Sequence, residues 1–194
     1  LAGALKDVVF TKSNDKKLAM RYQAAVRVAA ATGLRLCELL ALTTSDVDLA
    51  NGVVVVSKQL DRYVPWELDT PMKTCKPKYG VTREVRVWKK VSKDLAFLVK
   101  NANSDGVLVP RFGKGKLWAD AWANLLKDAR KAANWTWTPH YLRHHYGSYS
   151  TARREDGGLA QSYPAVQRWM GHANLKTTME TYIHDVSART GWVD

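Results

Sequence analysis

Cysteine is scarce. Cys37 and Cys75 are the two in the chain, and their spacing gives no CxxC pair of the kind that holds zinc. This suits a reducing cytoplasm, although the sequence leaves a disulfide between them open. Long apolar runs are also missing: none approaches the ~20 residues that span a bilayer, so no membrane helix is expected. No secretory signal and no initiator methionine open the sequence, so an N-terminal part is expected to precede Leu1. The nucleotide motifs are absent too. No GxxxxGKS or GxxxxGKT phosphate loop occurs, and the Gly113-Lys114-Gly115 turn is too short for a dinucleotide fingerprint. HExxH is absent. His140 and His144 stand about one helical turn apart, but no carboxylate or cysteine joins them at ligand spacing, which weighs against zinc. No internal repeat, low-complexity tract or long block of one charge sign interrupts the chain.

What is abundant is positive charge. Thirty Lys and Arg against eighteen Asp and Glu leave a formal +12 on 194 residues. That balance favours a polyanionic partner, because neutralising phosphates releases their counterions. A generic basic surface, or attraction to acidic membranes, is the competing reading of charge alone. With 46% hydrophobic residues, the chain has enough apolar material for one sizeable core.

The hydrophobic pattern predicts a mainly helical chain with a small sheet inserted early. Ser13-Asn14-Asp15 can cap a helix running through Leu18, Tyr22, Val26 and Ala29, and Thr32-Gly33 ends it. Leu34 to Leu42 reads as a short apolar helix, and Asp46 to Gly52 as turns. Val53 to Val56 is a β-branched strand. The stretch around Pro65 and Pro71 reads as edge strand or loop, Lys73 to Gly80 as a basic turn, and Val81 to Trp88 alternates like a strand. Further helices are expected from Ser92 to Asn101, from Ala119 to Ala133, from Thr138-Pro139 to Arg154, and from Pro164 to Gly171. The class is α+β, with a small antiparallel sheet of three strands.

Four stretches carry candidate chemistry. In TGLRLCELL, Arg35 and Glu38 have the spacing of one helix face within an apolar strip, so a half-buried pair is expected. Glu38 either simply satisfies Arg35 or orients it toward a phosphate, whose oxygens fit the guanidinium fork. In PHYLRHHY, His140, Arg143 and His144 share a face near a helix N-terminus, where an anion is favoured, although such histidines commonly just pack or cap. Lys73 lies in the sheet turn PMKTCKPKYG and, alone, reads as solvated. In MGHANLKTTMETYIH, Gly171 can end one helix in the left-handed conformation. Asn174, or a Thr177/Glu180 capping box, can then start another. His172 then sits in a helix-to-helix turn ahead of Tyr182. Tyr141, Tyr146 and Tyr149 read as packing residues.

Taken together, the order Arg35, Lys73, His140, Arg143, His172, Tyr182 resembles the tyrosine recombinase, or phage integrase, family over nearly the whole chain. The blocks TGLRLCELLALTTSDVDL, MKT, HYLRH and MGHANLKTTMETYIH carry the resemblance. It implies a tyrosine-recombinase-like catalytic domain at 12–194, with residues 1–11 the tail of a linker. It implies a site-specific recombinase that cleaves and rejoins DNA through a 3′-phosphotyrosine, without metal, ATP or other cofactor. Arg35 and Arg143 would clamp the scissile phosphate, with Glu38 supporting from behind. Lys73 would protonate the leaving 5′ oxygen, Lys76 and Lys78 in the same turn being alternatives. His140 would assist proton transfer, His172 would hydrogen-bond a phosphate oxygen, and Tyr182 would attack.

The implied partner is double-stranded DNA at recombination sites, with a homotetramer on paired sites, a monomer without DNA, and no membrane. The implied setting is a prokaryotic cytoplasm, at the nucleoid, in a phage or mobile-element protein. A type IB topoisomerase-like relaxing enzyme shares the catalytic parts, and a non-catalytic basic DNA-binding domain shares the charge.

Overall fold

A computed structural model of the chain describes residues 2–61, 72–109, 118–136, 138, 140–174 and 176. Among the described residues the α-helices and strands follow in the order α1 (Ala2–Ser13), α2 (Lys16–Thr32), α3 (Leu36–Leu40), β1 (Val47–Asp48), β2 (Val53–Val56), β3 (Gln59–Leu60), β4 (Thr74–Cys75), β5 (Arg83–Arg86), α4 (Ser92–Lys100), α5 (Trp118–Ala132), α6 (His140–Thr151) and α7 (Tyr163–Met170). The α+β class expected from the pattern holds.

The organising helix is α2. Asp15 caps it, its carboxylate accepting from the Leu18 amide at 2.9 Å, and Gly33 closes it at φ 63°. Asp15 rather than Ser13 makes that cap bond; the Ser13 hydroxyl instead accepts from the Asp15 amide and donates to the Val9 carbonyl. Between the caps runs a stripe of buried small residues, Ala24, Ala25, Val28 and Ala29, so that α1, α4 and α6 pack directly on α2. Tyr22 adds bulk toward α5, its ring 4.7 Å from that of Trp122. Each large side chain buried here stabilises the fold by about 1.5–3 kcal/mol. The stretch 1–11 was expected as a linker tail; its described residues lie in α1, and Leu5 and Val9 are in the core on one α1 face.

The main sheet has the order β1-β2-β5, all antiparallel. Its third strand comes from the segment that read as turns, Val47–Asp48, because a two-residue pairing leaves no period to detect. Residues 65 and 71 lie outside the described set. A second, two-stranded ribbon joins β3 to β4. Val54 pairs with Val85 and Val56 with Arg83, all four on the buried face. Cys37 and Cys75 are not joined to each other, so the disulfide left open by the sequence is not formed. No helix among the described residues is long and apolar enough to cross a membrane.

Gly33 combines two constraints. Its backbone is left-handed, and a Cβ there would lie 2.5 Å from Cδ1 of the buried Tyr146 on α6. Gly80 has a similar φ of 69° but faces open space. Gly33→Ala is therefore expected to destabilise by about 2–4 kcal/mol, strain plus overpacking, and Gly80→Ala by only about 1–2. Chemical denaturation midpoints of the two variants check this; equal losses would mean that Tyr146 yields without cost.

Candidate active site

Arg35 stands between two local signals. Gly33 turns the chain out of α2, and Arg35, at φ −68° and ψ 152°, is the N-cap of α3. It is thus outside the helix, not on its face as the spacing suggested, because the left-handed turn delays the start of α3. The contact with Glu38 forms all the same. The carboxylate accepts from the Arg35 backbone amide at 2.8 Å, the returning half of a capping box, and from Arg35 Nη1 at 2.9 Å.

Glu38 has a second and stronger partner that the sequence reading did not name. Arg83 on β5 donates to both carboxylate oxygens, at 3.1 and 2.7 Å. Glu38 is fully buried and Arg83 nearly so. Burial alone would raise the carboxyl; the hydrogen bonds and charge of Arg83, then of Arg35, outweigh it and hold the group below its ordinary range. A signal for Arg83 existed: in the alternation Val81-Thr82-Arg83-Glu84-Val85, the arginine falls on the face of Val85, and a buried arginine needs an anion.

The arginines converge on one helix end. At the close of α7, Gly171 is left-handed at φ 63°, as the sequence predicted, and forms the cap of a Schellman turn. The Gly171 amide donates to the Arg168 carbonyl and the His172 amide to that of Gln167. The next three carbonyls are left over, and each accepts from a different arginine. Trp169 accepts from Arg83 Nε at 2.7 Å, Met170 from Arg143 Nη2, and Gly171 from Arg35 Nη2 at 3.1 Å. The negative pole of α7 is thus capped by three cations. Arg143, on α6, is buried and also donates to the Gly33 carbonyl at 2.5 Å, tying this helix end to the end of α2.

His172 follows the cap directly and is half-buried. Burial first, then the charges of Arg143, Arg35 and Arg83, with a contribution from His144, lower its pKa to about 4. His140, the first residue of α6, is lowered by burial, then by His144, Arg143 and Arg35; its ring packs edge-on to that of His144 at 4.8 Å. The structure therefore brings together Arg35, Glu38, Arg143, His140 and His172, and adds Arg83 and His144. Lys73 is exposed just before β4, on the ribbon whose other strand packs against α3. Lys76 and Lys78 are exposed as well, Lys78 lying over the Tyr79 ring. Asn174 accepts from the Lys176 amide at 2.9 Å, the local turn expected there. Thr177, Glu180 and Tyr182 lie outside the described residues. No cluster of metal-ligating side chains occurs among the described residues.

A cradle of cations at a helix end, with two imidazoles beside it, is suited to an oxyanion. The phage integrase family model matches residues 7–189, so the chain belongs to that family. It is 32% identical over 178 residues to the tyrosine recombinase XerD of Oceanobacillus iheyensis, covering 89% of this chain and 53% of that protein. It is 29% identical over 173 residues to XerC of Alcanivorax borkumensis, covering 89% of this chain and 50% of that protein. The chain thus spans about half the length of these curated relatives. Among solved structures, the Tn1549 transposon integrase in complex with a circular intermediate DNA superposes with a TM-score of 0.67 at 25% identity, over 93% of this chain and 60% of that one. The catalytic domain of bacteriophage HP1 integrase shares the fold at a TM-score of 0.53 and 19% identity, over 94% of this chain and 83% of that one.

The lowered histidines give a pH signature. A histidine kept neutral by the fold binds its proton more readily once unfolded, so stability is present above pH 6.5 and is lost as pH falls toward 4. The DNA-free protein should lose thermal stability across that window, and His172→Gln should lose measurably less. Parallel slopes for the two proteins would show that His172 titrates normally.

Proposed function

We propose that this chain is the catalytic part of a site-specific DNA recombinase, acting through a covalent 3′-phosphotyrosine. The observation that carries the reading is that Arg35 and Arg143, from motifs far apart in sequence, both reach the end of α7 beside His172. In the reaction, the Tyr182 oxygen attacks the scissile phosphorus and the bond to the 5′ oxygen breaks. Arg35 and Arg143 donate to the non-bridging oxygens, where charge grows in the transition state. One well-placed donor of this kind contributes about 3–4 kcal/mol.

His172, neutral in the DNA-free protein, donates a ring N–H to the same phosphate. The charge of that phosphate opposes the arginines and raises the imidazole again. His140 takes part in proton transfer at the tyrosine or phosphate. Lys73 delivers the proton to the departing 5′ oxygen, which leaves as a hydroxyl. The phosphotyrosine conserves the bond energy, so a 5′ hydroxyl from a second site can reverse the step without metal or ATP. The protein works on double-stranded DNA in the cytoplasm, at the nucleoid, for a phage or other mobile element. It is a monomer without DNA and a homotetramer on paired sites.

The test is a pool of nicked duplexes with randomised sequence at the nick, screened for a protein adduct that survives denaturation. Recovered duplexes then go into a two-site strand-exchange assay beside relaxation of supercoiled plasmid. Adduct with exchange is expected. No adduct would leave a DNA-binding domain, and relaxation without exchange would indicate a topoisomerase-type enzyme.

Tyr182→Phe is expected to abolish the adduct while leaving DNA binding nearly unchanged, since the ring is retained. An adduct that persists would be located by peptide mapping and would move the nucleophile elsewhere. For Lys73→Ala, cleavage of normal DNA should slow by about two orders of magnitude, as for loss of a general acid. A substrate with sulfur at the bridging 5′ position, which leaves without a proton, should restore most of the rate. Equal defects on both substrates would shift the role to Lys76 or Lys78.

A further inference from the structure

We propose that Arg83 is a positioning residue that keeps the charge of Arg35 available to the phosphate. The assignment rests on the phosphate-binding reading of the site. Arg83 is not among the residues that line the cavity holding Arg35, His140 and Arg143; it lines another, with Gly171 and His172. It lies behind Glu38, 6% exposed in its side chain, whereas the side chain of Arg35 is 22% exposed. Glu38 sits between the two. A buried carboxylate with one cationic partner would hold that partner in a neutral pair, and a neutral pair attracts phosphate poorly. Two guanidiniums on one carboxylate leave a net positive charge. The two-point side-chain contact, against one from the Arg35 guanidinium, and the deeper burial place the neutralising share on Arg83, so the surplus resides on Arg35, which faces outward.

A second contact fixes direction. Arg83 Nε holds the Trp169 carbonyl at 2.7 Å, and the guanidinium lies so close under Gly171 that a Cβ there would approach it to 3.1 Å. The plane of Arg83 is therefore the floor on which the α7 end rests. That end carries the Gly171 carbonyl, which orients Arg35, and then His172. One side chain thereby sets both the charge of Arg35 and the seat of the helix end that aims it. Lysine cannot substitute, since a point charge cannot bond both carboxylate oxygens and a carbonyl in one plane.

The probe is inorganic phosphate, titrated into the full chain while the His172 ring signals, assigned with His172→Gln, are followed by NMR. The proteins compared are wild type, Arg83→Met, Glu38→Gln and the double variant. Arg83→Met, in which Glu38 captures Arg35, should bind phosphate at least about tenfold more weakly. The double variant, freed of the carboxylate charge, should bind within about threefold of Glu38→Gln alone. Adduct formation on a selected nicked duplex should follow the same order. Wild-type affinity in Arg83→Met overturns the assignment, and so does a double variant about tenfold weaker than Glu38→Gln. If Arg83→Met does not fold, that last pair decides alone. A wild-type chain whose His172 ignores phosphate overturns the phosphate reading together with this one. A phosphate response without any adduct from wild type overturns cleavage but leaves Arg83 in its role.

Discussion

A carboxylate with no exposure to water cannot remain charged without partners, and Glu38 is that group in this protein. Left with no arginine at all, such a buried charge would cost about 3–5 kcal/mol, because it has no water to turn to. Glu38 therefore constrains its surroundings: the start of α3, the buried face of β5 and, through the two arginines, the end of α7. The contacts that answer this constraint come from segments separated by 45 and 136 residues in the chain.

The end of α7 is the other half of the arrangement. A helix leaves its last carbonyls without intrahelical donors. Here the Schellman turn uses those of Gln167 and Arg168, and three guanidiniums take the next three. The helix end gains its caps, and the arginines gain fixed directions before any ligand arrives. For the proposed phosphoryl transfer this matters, because donors that need no rearrangement during the reaction stabilise developing charge most effectively. Burial first, and then the crowding of cations, lowers the histidines: an imidazolium at His172 would lose water and add charge beside Arg143, Arg35 and Arg83.

Packing supports the polar group from beneath. Gly33, closing α2, has Tyr146 against it, and Tyr146 stacks on Trp88 at 5.3 Å, just past the last strand. Arg143, one turn before Tyr146 on α6, reaches the Gly33 carbonyl from the same side. The junction of α2 with α6 thus fixes where Arg143 enters the site, and a change there moves a cation as well as a core contact.

The sequence alone determined the local features. Gly33 and Gly171 were readable as helix ends because few other residues accept a left-handed backbone, and Val53–Val56 as a strand because β-branched runs fit a pleated sheet. Arg35, Glu38, His140, Arg143 and His172 were singled out by the resemblance of their short blocks to the tyrosine recombinase family, which local spacing alone would not have done. The weakest local signals were lost: β1 is too short to show a period, and the apolar residues of α1 are spread around the helix, with Phe10 exposed while Leu5 and Val9 are buried. What only the tertiary structure decided is which groups share a charge. The strand alternation hinted that Arg83 faces inward, but only the pairing of β5 with β2 and the packing of α3 placed Glu38 against it. The three carbonyls of α7 looked like any helix end. Long-range ion pairs and shared carbonyls have no spacing in sequence, because they form only where separate elements happen to pack.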